Sequence, residues 1–465
     1  MGTATAPGIG GAAQRFLSGG EIPARWWELF RSEALDRWIR VALADSPTLG
    51  AAEATLRRAQ EIRRARSGEL LPSVDGNVSA SRQQFSGGSF GEPNLQINPF
   101  TLYNASVNVS YTLDLFGRTR RDLEALQAQV DYQGFQLEGA YLTLASNIVT
   151  AALQEASLRG QLQATRGILA TQEEQLGLIE KQFELGGIAR TDVLAQRASL
   201  AQSRATLPPL EKRLSQTRHL LAILAGRFPG DAADLPEFHL EDFRLPEELP
   251  VSLPSSLVRQ RPDIRSAEEL LHAASARVGV ATADLYPQIT LSARYGTEAV
   301  QVGDLFRPGT AVWGIGAGLL QPIFHGGALE ATRRAEVAGF DQAAAQYRGT
   351  VLAAFRDVAD VLRALEYDAM TVKAQGEAEA AARDTLDIAK KQVRYGATNY
   401  LSLLDAQRQY NLARILLVQA QAGRFADTAA LFQALGGGWW NREPEPGMTK
   451  TDWKPENPPT GAARR

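Results

Sequence analysis

Three residues in the C-terminal part of the chain, Leu401, Asp405 and Arg408, have the spacing that places side chains on one face of a helix. An acid and a base on one face can form a surface ion pair, worth ~0.3–0.5 kcal/mol. Where several copies of a chain meet around an axis, the same residues form a ring of charge instead. Carboxylates crowded in such a ring attract cations, and Arg408 can bridge to an aspartate of a neighbouring copy. The spacing alone leaves both interpretations open.

The comparable position earlier in the chain carries Arg190, Thr191, Asp192 and Val193. Thr and Asp side chains accept hydrogen bonds from the free N–H groups at the start of a helix. We therefore predict that Thr191 or Asp192 caps a helix.

The residues that usually carry catalysis or bind cofactors are absent or wrongly spaced. The chain has no cysteine, and its histidines show no metal-binding spacing (His219, His239, His272 and His325). GIGAG at 314–318 resembles part of a dinucleotide-binding loop, but it lies inside an alternating segment and opens no helix. The sequence contains no P-loop and no pairing of a nucleophile with a base. We therefore predict that the protein is not an enzyme and has no cofactor and no metal site.

The charge balance narrows the range of partners. The 465 residues carry a formal net charge of −3, whereas a nucleic-acid-binding surface needs an excess of basic residues to neutralise phosphates. We predict no nucleic-acid partner.

The elements that must position these residues occur twice in the chain. Residues 47–74 align without a gap to residues 262–289. Three later landmarks recur at nearly the same distance: Phe116 and Phe324, Gly186 and Gly396, and Gly226 and Gly436. The repeat is too long for a solenoid unit of ~20–50 residues. The sequence therefore contains two tandem copies of one unit, each predicted as helix, two strands, very long helix, tight turn and returning helix.

Each copy contains two segments with the two-residue period of β-strands. In residues 103–116, apolar side chains alternate strictly with Ser, Asn, Thr and Asp, which places one set on each face of a sheet. Residues 73–85 form a weaker partner, and the second copy repeats the plan within 286–324, on either side of a loop at 297–310. These strands are long enough for a membrane span, which needs ~9–11 residues.

After each strand pair the period changes to about 3.5 residues, which is typical of helices that pack along partners of similar length. The pattern runs without proline to Gly186 in the first copy and to Gly396 in the second. Each helix is then ~100 Å long at 1.5 Å per residue, and glycine permits the left-handed turn at its end. Pro208-Pro209 is expected to break the first returning helix. No uncharged apolar run approaches the ~18 residues that indicate a transmembrane helix.

Four predicted strands per chain are too few to close a sheet on itself, because the smallest barrels need about eight. An open sheet edge cannot face lipid, since its backbone groups would lack hydrogen-bond partners. Two or three copies of the chain would supply eight or twelve strands. The polar, Ala-rich long helices must extend away from the barrel into water. The pattern therefore predicts an oligomer with a barrel at one end and a helical cylinder at the other.

Four sequence stretches resemble the TolC-like outer-membrane efflux channels, in the branch whose members are often lipoproteins. The stretches are LVRQRPDIRSAEELLHAASARVGVATADLYPQITLSA (257–293), YTLDLFGR (111–118), QPIFHGG (321–327) and YGATNYLSLLDAQRQY (395–410). The resemblance covers about residues 30–437. It implies an α+β membrane protein with an internal duplication. Three chains would form a twelve-stranded transmembrane β-barrel, four strands from each, continued by a long periplasmic α-helical barrel with an equatorial domain. The lipidated cysteine usual in this branch is not present in the chain.

The resemblance also implies roles for particular residues. Leu401, Asp405 and Arg408 would form the gate at the periplasmic end. The two helical turns would dock a periplasmic adaptor through their tips (Gly186, Gly187, Ile188, Gly396, Ala397 and Thr398). Aromatic residues at the strand ends would lie at the membrane interfaces (Tyr103, Phe116, Tyr286, Trp313 and Phe324), although ordinary strand packing explains such residues nearly as well.

These predictions divide the chain into nine segments. The first copy and its approach comprise an extended or equatorial segment, a helix, a barrel hairpin, a helical hairpin turning near 186–188 and an equatorial segment (1–31, 32–70, 71–116, 117–226 and 227–254). The second comprises a helix, a barrel hairpin, a helical hairpin turning near 396–399 and an equatorial or disordered tail (255–285, 286–324, 325–436 and 437–465).

The predicted function is a passive exit duct for small molecules such as drugs, toxic compounds or metal ions. It would work as a homotrimer in the outer membrane of a Gram-negative bacterium, extending into the periplasm. Its partners would be membrane lipid, a periplasmic adaptor and an inner-membrane efflux transporter. A type I protein-secretion duct is an alternative with the same architecture, and a soluble coiled-coil scaffold or adaptor is an alternative of another class.

Overall fold

The computed structural model describes residues 2–86, 91, 98–251, 254–398 and 400–442. The chain forms two compact units, each assembled from separate stretches of sequence. A sheet unit comprises Leu56–Gln133 and Ala267–Tyr347, and a helical unit comprises Met1–Thr55, Gly134–Ser266 and Arg348–Arg465. In the described part of the chain, no helix contains a stretch that is both long enough and apolar enough to cross a membrane.

The sheet unit contains one four-stranded antiparallel sheet. Its strands are β2 (Ser73–Gln83), β3 (Phe100–Leu113), β5 (Gln288–Ala299) and β6 (Ala311–Leu320), in the order β2-β3-β5-β6. The two copies of the repeat therefore meet where β3 pairs with β5. Within the described residues, β2 and β6 each pair on one side only.

Helices make up most of the remaining described structure. They are α1 (Glu33–Asp45), α2 (Pro47–Ser67), α3 (Arg118–Glu184), α4 (Arg190–Arg204), α5 (Leu207–Leu224), α6 (Pro254–Gln260), α7 (Pro262–Ala283), α8 (Ala328–Arg394) and α9 (Tyr400–Ala434). The corresponding long helices α3 and α8 each contain 67 residues.

Proline divides three helical segments of the chain, and two of them, 32–70 and 255–285, are predicted from the sequence as single helices. The segment predicted as a helix over 32–70 is two helices, because Ser46 is extended before Pro47. A second division falls at the equivalent Pro262, between α6 and α7. The third, between α4 and α5, is the predicted break at Pro208-Pro209, which lie in the first turn of α5. A residue before proline disfavours helical geometry, as the extended Ser46 shows, and proline itself fits the first turn of a new helix.

The N-terminal segment is held by contacts with distant parts of the helical unit. Strand β1 (Arg15–Ser18) pairs in parallel with β4 (Glu248–Val251). The buried guanidinium of Arg424 donates to the carbonyl oxygens of Gly10 and Ala12, at 2.6 and 2.7 Å. The irregular N-terminal and central segments predicted from the sequence are thus joined to each other and to α9.

Aromatic residues from three distant segments form much of the core of the helical unit. Trp26 stacks on Phe432, with ring centroids 5.4 Å apart. Phe425 contacts both Phe30 and Phe243, at 6.4 and 6.1 Å between centroids. Burial of such rings is the main source of stabilisation that connects these segments.

The chain after α9 differs from the loose tail that its Gly- and Pro-rich composition predicts. Residues 436–438 are three consecutive left-handed glycines, and the indole N–H of the buried Trp439 donates to the carbonyl of Gln260 at 2.6 Å. Arg442 forms an ion pair with Glu138 at 2.8 Å. Aromatic burial and these polar contacts order residues 436–442, and the rest of the predicted tail lies outside the described residues.

Candidate gate, hairpin turns and sheet faces

The turn between α8 and α9 is built around one glycine. Gly396 has a φ of +69°, a conformation that side-chain-bearing residues rarely adopt. The N–H of Gly396 donates to the carbonyl of Val393 at 3.1 Å, and that of Ala397 donates to Gln392 at 2.8 Å. These bonds satisfy carbonyls at the helix end. Gly396 and Ala397 are exposed and Thr398 is half-buried, while residue 399 lies outside the described residues.

The turn between α3 and α4 repeats this geometry. Gly186 has a φ of +76°, and the N–H of Gly187 donates to the carbonyl of Gln182 at 2.8 Å. Gly186 and Gly187 are exposed, and Ile188 is half-buried. Both copies of the repeat therefore present a tight, glycine-based turn to solvent.

Each turn also exposes one large side chain that the sequence analysis did not single out. Leu185 is 87% exposed and Tyr395 is 80% exposed. They occupy equivalent positions, immediately before the left-handed glycine. The signal that could have found them is a large apolar or aromatic residue between the end of the helical period and a glycine stop.

The structure places Leu401, Asp405 and Arg408 together on the exposed face of α9. The opposite face is buried, with Leu403 and Ala406 packed against Leu386 and Ala389 of α8. In the described part of the chain, neither Asp405 nor Arg408 forms an ion pair. The apolar contact with α8 orients α9 so that both charges remain available to other molecules or other copies.

Uncharged polar side chains join the two helical hairpins beside this face. The hydroxyl of Tyr400 donates to Gln196 Oε1 at 2.9 Å, and Gln196 Nε2 donates to the carbonyl of Gln172 at 3.0 Å. Gln407 Nε2 donates to Gln175 Oε1. The sequence analysis missed this polar seam, although glutamines at inward-facing positions of an otherwise apolar pattern are a signal for it.

The first turn of α4 corrects the capping prediction. The helix begins after Ala189, and no side chain caps it. Asp192 lies in the first turn of α4, where its negative charge is favourable at a helix N-terminus. Burial, followed by the charge of Asp192, raises the pKa of Tyr400 above its ordinary value. Because the sequence pattern marks the turn only approximately, it placed the cap too late.

The strand register gives the sheet one apolar face. In one row across the sheet, Val74 pairs with Val109, Val109 with Ala293, and Ala293 with Ile315. The neighbouring row on the other face contains Ser73, Ser110, Ser292 and Gly316. The sheet therefore separates an apolar surface from a polar one.

The strand-end aromatic residues lie at two separate levels of the sheet. Tyr103 and Trp313 lie in strands near the hairpin loops, where their partners are Ala299 and Tyr295. At the opposite end, Phe116 stacks on Tyr286, with centroids 4.8 Å apart and planes 11° apart. Phe324 lies at this same end, in the exposed connection between β6 and α8. The structure brings only Phe116 and Tyr286 into contact.

Comparison with known proteins identifies the class to which these features belong. The family described as "Outer membrane efflux protein" matches residues 38–227 and 253–437. The chain belongs to the outer membrane efflux protein family. The match covers both helical hairpins and all four strands of the sheet, and the resemblance to TolC-like channels is confirmed.

Individual members of the outer membrane efflux protein family are similar over nearly the whole chain. The pyoverdine export outer membrane protein OpmQ of Pseudomonas aeruginosa is 34% identical over 437 residues, covering 91% of this chain and 90% of OpmQ. The toluene efflux pump outer membrane protein TtgC of Pseudomonas putida is 29% identical, covering 90% and 86%. The solved structure of the outer-membrane channel OprN has a TM-score of 0.86 and 29% identity, covering 94% of this chain and 97% of OprN.

Membership of the outer membrane efflux proteins establishes the location and the general role. The protein is an outer-membrane efflux channel of the Gram-negative type that extends into the periplasm. Its role is transport, which is consistent with the predicted absence of an enzymatic function. The soluble scaffold considered from the sequence alone is therefore set aside.

Proposed function

We propose that three copies of this chain form the outer-membrane exit duct of a tripartite efflux system. The duct passively conducts small molecules delivered by an inner-membrane transporter and a periplasmic adaptor. Four strands from each copy close a twelve-stranded barrel across the membrane. The observation that carries the proposal is the open, two-faced sheet, with an apolar and a polar side and two free edges.

The free edges of the sheet argue for closure by further copies. Backbone N–H and C=O groups left unpaired in hydrocarbon cost several kcal/mol each. Because β2 and β6 are the edges of the described sheet, pairing β6 of one copy with β2 of the next satisfies both at once. A ring of three copies leaves no edge and contains twelve strands, wide enough for a lumen.

The two faces of the sheet then have different environments. Rows that contain Val109 and Ile315 face the lipid, and rows that contain Ser110 and Ser292 line the lumen. A polar lumen suits cargo that travels with water. The named cargoes of relatives, pyoverdine for OpmQ and toluene for TtgC, support small molecules as the class of substrate.

The exposed face of α9 supplies the gate in this proposal. Threefold symmetry brings the Asp405 and Arg408 side chains of neighbouring copies close together. Their lack of ion-pair partners in the described part of one chain leaves them free to pair across copies. Leu401 narrows the same opening with an apolar side chain.

The two hairpin turns supply the adaptor-docking surface. Small residues at the tips (Gly186, Gly187, Gly396 and Ala397) allow another protein's backbone to approach closely. The exposed Leu185 and Tyr395 offer apolar anchors beside them. Two equivalent tips per copy give six docking positions around a trimer.

The proposal is tested with the full chain purified in detergent and reconstituted into a planar bilayer. Native mass spectrometry should give the mass of three copies, and the bilayer should show discrete conductance steps that need no energy source. A strictly monomeric species in detergent, or a trimer without conductance under any voltage, would contradict the proposed duct.

A further inference from the structure

Phe116 of the first repeat packs against Tyr286 of the second repeat within one chain. Phe116 follows β3, whereas Tyr286 precedes β5, the strand with which β3 pairs. The rings are stacked with centroids 4.8 Å apart. Beside them, Arg118 Nε donates to Asp284 at 2.6 Å. A strand pairing, an aromatic contact and an ion pair thus join the two repeats of one chain at one place.

The duplication assigns an equivalent to each partner in this contact. Phe324 corresponds to Phe116, and Leu71 corresponds to Tyr286, since 286 − 71 equals the offset between residues 47 and 262. The local backbone agrees: Leu71 N–H donates to Gly68 at 3.0 Å, and Tyr286 N–H donates to Ala283 at 3.0 Å. The equivalent strands, β6 and β2, are the two free edges of the sheet.

Both equivalent residues are uncovered in the single chain. Phe324 is 86% exposed and Leu71 is 69% exposed. They lie beside opposite edges of the sheet, so they are positioned to meet only across two copies of the chain. Exposed large apolar side chains grouped at the end of a sheet commonly mark an interaction surface.

The crossing of α7 and α3, beside this ring contact, also has an equivalent in α2 and α8. The small and the large residue at the crossing exchange helices. Within the chain, Gly279 of α7 lies so close to α3 that an added Cβ would be 3.0 Å from Arg121 Cγ. The starts of α3 and α8 are equivalent, because Arg121 N–H donates to Gly117 and Ala331 N–H donates to Gly327. Ala331 of α8 therefore corresponds to Arg121 of α3, and Arg64 of α2 corresponds to Gly279 of α7. One small and one large residue are preserved at the crossing.

We infer that Phe324 of one copy packs on Leu71 of the next copy, with the start of α8 crossing the end of α2 beside it. This contact rests on the proposed homotrimer and specifies how neighbouring copies meet below the sheet. The ion pair is not repeated, because α8 begins at Ala328 where α3 begins at Arg118. The contact between Phe324 and Leu71 is therefore apolar, and its strength should change little with ionic strength.

The absence of cysteine from the chain makes a direct test possible. The double variant Leu71→Cys, Phe324→Cys is treated in its assembled form with a short bismaleimide and separated under denaturing conditions. We expect loss of the monomer band and appearance of a covalent trimer. Phe116→Cys with Tyr286→Cys is the matched intrachain pair, and the treated protein should still run as a monomer. Leu71→Cys with Phe306→Cys, an exposed residue in the loop after β5, should remain monomeric.

A second measurement covers the case in which the double variant does not assemble. Single variants Phe324→Cys and Phe306→Cys are labelled with a fluorescent maleimide, before and after detergent assembly. Assembly should slow the labelling of Phe324→Cys and leave that of Phe306→Cys unchanged. A trimer by native mass spectrometry in which Phe324→Cys labels as fast as Phe306→Cys overturns the contact while leaving the duct intact. A monomer overturns the proposed function itself.

Discussion

At the scale of single residues, the interactions open to Asp405 and Arg408 depend on how α9 packs. On an isolated helix they would be a minor surface pair. The structure buries the other face of α9 against α8, which leaves the two charges exposed and without ion-pair partners in the described part of the chain. Their orientation is a consequence of packing, and their role depends on neighbouring copies.

Removing both charges should open the proposed gate. In the variant Asp405→Ala with Arg408→Ala, we expect single-channel conductance to rise severalfold, because charged side chains no longer bridge neighbouring copies across the opening. Planar-bilayer recording measures it directly.

The matched control is Asp387→Ala with Lys390→Ala, which removes an exposed ion pair from α8. Its conductance should equal that of the unmodified protein. Equal conductance in all three proteins would refute the role of Asp405 and Arg408 as a latch.

A second residue-scale feature is the pair of carboxyl groups on α8 and α9. Burial, together with the hydrogen bond and charge of Asp427, raises the pKa of Asp368 to about 7, while Arg424 opposes the shift. Among the described residues, no donor reaches the buried Oδ2 of Asp368 when both carboxyl groups are ionised. A proton between the two carboxyl groups removes their repulsion.

This pair should make stability depend on pH. The pKa of Asp368 in the folded chain lies above its ordinary value of 3.8, so the folded protein binds more protons between these values. Stability should fall as pH rises from about 4 to 7 and remain constant above that range. Thermal unfolding in detergent should show this fall, and Asp368→Asn should remove most of it.

Asp360→Asn provides the control for this measurement, because Asp360 lies on the same helix but is well exposed. It should retain the pH dependence of the unmodified protein. An identical pH profile for Asp368→Asn and Asp360→Asn would show that Asp368 does not titrate as described.

At the scale of elements, the two helical turns are the clearest product of the duplication. Each combines a left-handed glycine with hydrogen bonds back to the last turn of its long helix. The sequence predicted both turns from glycine alone, because the left-handed conformation is a local steric requirement. It did not predict the polar seam of Tyr400, Gln196 and Gln172, which depends on three helices lying side by side.

A bulky residue at a tip should prevent docking without disturbing the fold. Gly187 is exposed and does not have a left-handed backbone, and a Cβ there meets only Gln182 O, at 3.3 Å. We expect Gly187→Trp to abolish efflux-dependent drug resistance in cells while leaving the trimer intact by native mass spectrometry. The large side chain would hold an adaptor away from the tip.

Gly187→Ala is the matched control and should keep resistance close to normal, because a methyl group adds little bulk. Normal resistance in Gly187→Trp would remove the tips from the adaptor interface. Loss of the trimer in that variant would instead indicate a folding defect, which the mass measurement distinguishes.

At the scale of the whole molecule, the duplication explains why one chain is incomplete. Two repeats of the unit give four strands, and the pairing of β3 with β5 joins the sheet of the first repeat to that of the second. The same pairing applied to β6 and β2 requires another chain. The proposed homotrimer and the proposed contact between Phe324 and Leu71 both extend the pairing of β3 with β5. Mass measurement and cross-linking therefore test the same type of interface, one for the assembly and one for a single contact.

Features that depend on local chemistry were predictable from the amino-acid sequence. Strict alternation in residues 103–116, the helical period that ends at Gly186 and Gly396, and the helix break at Pro208-Pro209 all follow from backbone geometry. The tertiary structure alone decided which distant segments meet. Examples are the pairing of β1 with β4 and the insertion of Arg424 between Gly10 and Ala12. These contacts join residues hundreds of positions apart, and no local pattern specifies them because their free energy comes from burial and hydrogen bonding in the folded chain.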